Sequence, residues 1–194
     1  MSLEYVLEKF PIEARLKDGT KVIIRPLKKG DAATLQKFFF AVPEPERLFI
    51  ERPVTDKKFF ADTCAKLDFN QNLTLVMAHG AKMIGWINLH QRQGGWRRHI
   101  GRITLLTHPN YRGRDVSRLL LEEIVTAARY LGLWKLEAEL NGGRTIALRS
   151  LVMTSVGAWI FGSSPSRYLL LRPSVSIFRM VREGSGTVAS IILS

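Results

Sequence analysis

Between Ile100 and Gly132 an apolar run, a short basic turn and an amphipathic run follow one another without interruption, and no other stretch constrains the fold as much. Ile103, Leu105 and Leu106 read as a buried strand. His108-Pro109-Asn110-Tyr111-Arg112-Gly113-Arg114 carries the turn formers. Val116, Leu119, Leu120, Ile124, Ala127, Ala128 and Leu131 then recur at helical spacing, and Gly132 is placed to close the helix. A strand feeding a helix through a tight turn aims free backbone N–H groups and the positive end of the helix dipole at one spot, which suits an anion such as phosphate. Arg112, Arg114 and Arg118 add formal charge around it.

Two readings of Asp115 follow from its place ahead of the helix. As an N-cap, its carboxylate would accept the first-turn amides and occupy donors that an anion needs. Otherwise the anion site is retained, with a carboxylate nearby.

Thr107–Leu120 resembles the acyl-CoA-binding motif of the GNAT superfamily of N-acetyltransferases, in which Arg or Gln is followed by x-x-Gly-x-Gly or x-x-Gly-x-Ala. Arg112 and Gly113 match the Arg-Gly pair; Asp115 and Ser117 stand at the two later small positions. The resemblance implies acetyl-CoA as acyl donor. Its diphosphate would be held at Arg112, Gly113, Arg114, Asp115, Val116, Ser117 and Arg118, and its thioester carbonyl polarised by the amides of Leu105, Leu106 and Thr107. Trp96-Arg97-Arg98-His99-Ile100-Gly101-Arg102-Ile103 is also similar to a segment of some bacterial GNAT proteins, with Arg102 in place of their Glu.

In this family the general base is commonly a Glu on the central strand, and the acid that protonates the thiolate is often a Tyr four residues ahead of a Gly-Phe pair. Here Arg102 and Met153 occupy those places, with Gly157-Ala158 for the pair. His99 is the candidate base, with an ordinary pKa near 6.5. Glu44, Glu46 and Glu51 are alternatives, and Asn141 matches an Asn that often precedes the late helix.

The order of elements supports the same architecture. A helix over 1–10 precedes strands at Ile12–Leu16 and Lys21–Leu27, joined at Lys17-Asp18-Gly19, a hairpin signal. Asp31 is read as the cap of a helix to Ala41, and a second helix spans Asp56–Leu67 after a loop. Strands follow at Leu73–Ala78, Lys82–His90, Trp96–Thr107 and Trp134–Glu139. A helix over Thr145–Ser155 and strands near Ala158–Gly162, Arg167–Leu171 and Ser176–Val181 complete the expectation. Trp86, Trp96, Trp134 and Trp159 are expected in the core or on a sheet face. The fold class is α/β, a GNAT-like layered fold with a mixed, mostly antiparallel sheet of about seven strands flanked by helices. The domain spans 12–182, after a helical extension over 1–11 and before a tail over 183–194.

Composition narrows the function classes. With 46% hydrophobic and 24% charged residues the chain reads as globular, and the single Cys64 excludes an internal disulfide framework and fits a reducing cytoplasm. No signal peptide, apolar span, RNA-binding signature, zinc-ligand spacing or helix-turn-helix pattern is evident. The net charge of +12 favours an anionic partner. The first expectation is an N-acyltransferase moving an acetyl group from acetyl-CoA to an amine by direct transfer, acting as a homodimer in the manner the family often shows. The alternative is a non-catalytic GNAT-fold protein that binds CoA, another anionic ligand or nucleic acid through its basic face.

Overall fold

The computed structural model describes residues 3–47, 57–141, 178–183 and 186–192. An eight-stranded sheet in the order β1-β2-β3-β4-β5-β6-β8-β7 runs through it, against the roughly seven strands expected. Its strands are β1 (Ile12–Arg15), β2 (Lys21–Pro26), β3 (Asn72–His79), β4 (Lys82–Gln91), β5 (Ile100–Thr107), β6 (Lys135–Asn141), β7 (Phe178–Glu183) and β8 (Gly186–Ile192). Every neighbouring pair is antiparallel except β5 and β6, the two strands joined through the long helix. A parallel pair needs such a crossover, because a hairpin cannot return the chain in the same direction.

Helices cover both faces. Helix α5 (Val116–Tyr130) buries Val116, Leu120, Leu121, Ile124, Ala127 and Ala128 against Leu75, Met77, Ile87 and Ile103, and α1 (Leu3–Glu8) adds Val6 to that core. On the other face α2 (Ala32–Ala41) and α4 (Lys57–Ala65) pack Leu35, Phe38, Phe39, Phe60 and Cys64 onto Val76, Trp86 and Leu106. The short α3 (Glu44–Arg47) lies after α2. Alternation along β5 explains the division: Ile103 and Leu105 join the α5 side, Leu106 the α2 side.

Several expectations are corrected. Residues 186–192 are not tail but β8, inserted between β6 and β7. The Gly184-Ser185 pair between two runs containing Val181, Thr187, Val188 and Ile191 is a hairpin signal, and β-branched residues suit a ladder. Trp96–His99 is not strand but overlapping turns, closed by Arg98 N–H to Gly95 C=O (3.2 Å) and Ile100 N–H to Arg97 C=O (3.0 Å). Asp31 does not cap α2. Its carboxylate takes both Arg25 guanidinium nitrogens (2.6 and 2.8 Å) and the Lys28 N–H (2.8 Å), closing a three-residue turn of 3₁₀ helix ahead of α2. The helix over 145–155, the strands near 158–162 and 167–171, and with them Met153, Gly157-Ala158 and Trp159, lie outside the described residues, as does Glu51.

Candidate active site

The site begins where two strands part. β5 pairs β4 along its length, from Gln91↔Gly101 to Gly85↔Thr107. On its other edge it pairs β6 only over Ile100↔Lys135 to Ile103↔Ala138. Both strands continue: β6 runs on to Asn141 in ladder with β8, and β5 on to Thr107. Among the described residues, therefore, nothing pairs that edge of Thr104–Thr107, and a wedge opens between it and the end of β6.

Ladder parity says which groups face the wedge. His108 N–H donates to Ile84 C=O at 2.9 Å, so every second residue back from His108, namely Leu106 and Thr104, also directs its N–H toward β4. Leu105 and Thr107 alternate with them and direct N–H and C=O into the wedge. Of the three amides expected there, Leu106 is thus turned to β4, and Leu105 and Thr107 remain as donors.

At the wedge's open end the turn delivers more donors. Gly113 has φ +73° and Asp115 φ +70°, the latter the sole non-glycine with positive φ among the described residues. The first bond of α5 runs from Leu119 N–H to Asp115 C=O (3.0 Å), so the amides of Val116, Ser117 and Arg118 have no acceptor among the described residues. The N-cap reading of Asp115 is corrected: its side chain caps nothing and instead meets the Arg118 guanidinium at 3.3 Å. A left-handed residue cannot fold its side chain back over the first turn as an extended N-cap does. Thr107 Oγ1 and Ser117 Oγ, 2.9 Å apart, tie the strand end to the helix start.

The turn is braced from all sides. Lys17 N–H donates to Arg114 C=O (3.3 Å). The Tyr111 hydroxyl is 3.0 Å from His79 Nδ1, and the cations of Lys82 and Arg114 lie over its ring at 5.8 and 5.4 Å. The three arginines each hold a carboxylate: Arg112 with Glu46 (2.5 Å), Arg114 with Asp18 (2.8 Å), and Arg118 with Glu122 (2.7 Å) besides Asp115. Glu46 and Asp18 were not legible as turn partners, because they lie 66 and 96 residues away in sequence. The Arg114–Asp18 and Arg118–Glu122 pairs are exposed on both sides and worth about 0–1 kcal/mol each, whereas Glu46 is largely buried beneath Arg112.

His108, 6% exposed, sits at the junction of β5 and the turn. Burial first, then the neighbouring Lys82 and Arg112 cations, push its pKa below the ordinary value. Its Nδ1 accepts the Asn110 N–H (3.2 Å), which leaves the proton on Nε2. His99 stands elsewhere, at the opposite end of β5, stacked on Trp134 with centroids 4.3 Å apart and planes at 7°. Six residues separate it from Leu105, roughly 20 Å at about 3.3 Å per strand residue. Of the early glutamates, Glu46 reaches the turn through Arg112, and its side chain is 9% exposed. Trp96 and Trp134, expected in the core or on a sheet face, are 83% and 65% exposed, because the turns after Gly95 and the chain entry into β6 hold them out of both cores.

A strand wedge lined by backbone donors and ending in an amide-rich turn accepts an extended chain with an anionic end. The sequence profile of the acetyltransferase (GNAT) family matches residues 35–149, more than half of the chain, including β5, the turn and α5. The chain belongs to the GNAT family. Solved structures agree on the fold. The GNAT domain of S. lividans PAT superposes with a TM-score of 0.73 at 17% identity, covering 94% of this chain and 97% of that one. A putative acetyltransferase from Salmonella typhimurium with its cofactor acetyl-CoA gives 0.61 at 16% identity, covering 89% and 93%. The PaiA N-acetyltransferase from Thermoplasma acidophilum in complex with coenzyme A gives 0.63 at 14% identity, covering 88% and 98%. No curated protein matches the sequence.

Within the GNAT frame the departure at Asp115 has a physical account. The backbone keeps the left-handed conformation that glycine adopts most readily, and Asp is among the side chains that tolerate it best. The turn's shape therefore survives the loss of the glycine. Gly85 does comparable work behind it: a Cβ there would stand 2.7 Å from Val116 Cγ1 and Leu120 Cδ1, so the bare backbone is what lets the first turn of α5 lie on β4.

Proposed function

We propose that the protein is an N-acyltransferase that moves an acetyl group from acetyl-CoA directly to an amine. The observation that carries this reading is the wedge: β5 and β6 separate after Ile103↔Ala138, which leaves the Leu105 and Thr107 amides facing the gap. The pantetheine arm would run along it, and the diphosphate would rest on the Val116, Ser117 and Arg118 amides beside Arg112. A donor from β5 to the thioester oxygen stabilises the charge that grows there as the amine attacks. The amine nitrogen forms its bond to the acetyl carbon, the C–S bond breaks, and the proton lost by nitrogen balances the one gained by the thiolate.

β5 carries no carboxylate, and His108 offers an N–H rather than a lone pair toward its surroundings. The reading therefore assigns the rate to alignment and carbonyl polarisation, with the acceptor arriving as free base. Its test is the pH dependence of kcat/KM with two amines of different pKa, followed by release of free thiol. Each profile should climb to the pKa of its own acceptor. One shared inflection between pH 6 and 8 for both amines would reveal a protein base and overturn this mechanism. Tight acetyl-CoA binding with no thiol release across a broad amine panel would favour the non-catalytic alternative.

A further inference from the structure

The rim at the opposite end of β5 carries chemistry that acyl transfer does not use. Two tight turns place Trp96, Arg97 and Arg98 side by side. Trp134 enters the same rim because its N–H donates to His99 C=O at 2.9 Å. Both indoles are open, at 83% and 65% exposure, and each already carries a flat partner on one side: the Arg97 guanidinium 5.5 Å from the Trp96 ring, the His99 imidazole parallel to Trp134. Over residues 92–99 and 134–137 the cations are Arg92, Arg97, Arg98 and Lys135, against the lone carboxylate of Glu137. Glu137 contacts Arg97 (3.2 Å) and Lys135 (2.7 Å), so the rim stays net positive.

We propose that this rim binds single-stranded nucleic acid, with bases stacking on the exposed faces of Trp96 and Trp134 and phosphates meeting the arginines. Interleaved rings and cations are what a strand with alternating flat bases and charges recognises. A protein partner fits less well, since hot-spot aromatics are ringed by contacts that exclude water, whereas Trp96 is flanked by Gly94, Gly95 and arginine. A second copy would bring the same charge to the contact. A duplex keeps its bases stacked internally and offers the indoles nothing. The rim lies eight residues along the strand from Thr107, roughly 26 Å at about 3.3 Å each, so it is separate from the wedge.

The experiment is fluorescence anisotropy of the full chain with a labelled oligouridylate of about a dozen nucleotides. Duplex DNA, poly-glutamate and phosphatidylserine vesicles serve as competitors at equal charge. Binding should quench indole emission and weaken with salt at a log–log slope of about −2, the value for three net cations on a single strand. Trp96→Ala with Trp134→Ala should lose at least about tenfold in affinity, with melting temperature and acetyl-CoA binding unchanged. Arg98→Glu, a surface change that spares the rings, should lose several-fold and flatten the slope if the double variant does not fold. Undiminished binding by these variants would overturn the proposal. So would poly-glutamate or vesicles competing better than the oligonucleotide.

Discussion

At Asp115 one residue holds a glycine's conformation, declines to cap its helix and leaves three amides without an acceptor among the described residues, beside a negative charge. Conformation and charge separate by substitution. Asp115→Asn keeps a residue tolerant of positive φ and removes the carboxylate. Acetyl-CoA affinity should rise about tenfold, about 1.4 kcal/mol by calorimetry, with little change in melting temperature. Unchanged affinity would mean that the diphosphate does not approach this residue. Two other residues make stability depend on pH in one direction. Burial opposes ionisation of Asp31, but the Arg25 hydrogen bonds and the Lys28 amide outweigh it and hold its carboxyl below the ordinary value. His108 is lowered chiefly by burial. For both, the unfolded chain binds the proton more readily, so their contribution is complete above the unfolded pKa and is lost as pH falls through the folded one. Denaturant midpoints should drop first below about pH 6.5 and again below about pH 4. His108→Gln should remove the first step and Asp31→Asn the second.

Helix α5 and the strands beneath it are where sequence and structure agree best, and the reasons are local. The apolar spacing of Val116, Leu120, Ile124 and Ala127 is set by helical geometry, and all four are buried. The Lys17-Asp18-Gly19 hairpin and the Arg112-Gly113 turn likewise announce themselves through residues that bend the backbone. Three features needed information that a local pattern lacks. The wedge depends on where a ladder stops. The carboxylates on Arg112 and Arg114 come from distant segments. The exposure of Trp96 and Trp134 follows from where the strands begin, and a tryptophan near an apolar run looks the same inside or out. Two glycines test the element account. At Gly85 a methyl would meet the first turn of α5; at Gly101 it would stand 2.6–2.9 Å from Leu89, Leu133 and Leu136, away from the site. Each Ala variant should lose about 1–3 kcal/mol by chemical denaturation. Only Gly85→Ala should also weaken acetyl-CoA binding, because it alone lifts the donors of the turn from the sheet.

Over the whole molecule, the GNAT fold supplies a sheet covered on both faces and split along one strand pair, so that in the proposed reading the donors to acetyl-CoA are backbone amides rather than side chains. A site of that kind needs no particular side chain at Asp115, Arg102 or Ser117, where the family's usual residues are absent. The net charge of +12 is also distributed by purpose in this account: the arginines of the turn are held by Glu46, Asp18 and Glu122, whereas the Trp96 rim stays positive. Among the described residues no helix is long and apolar enough to cross a membrane, and no cluster of His, Cys, Asp and Glu is arranged to hold a metal. The most direct test is a calorimetric titration with acetyl-CoA beside acetyl-pantetheine, which keeps the arm and the thioester but lacks the diphosphate. The wedge and turn together predict micromolar binding of acetyl-CoA and a loss of at least about a hundredfold, about 2.7 kcal/mol, for acetyl-pantetheine. Equal affinity for the two, or no heat from acetyl-CoA at low salt, would contradict the account.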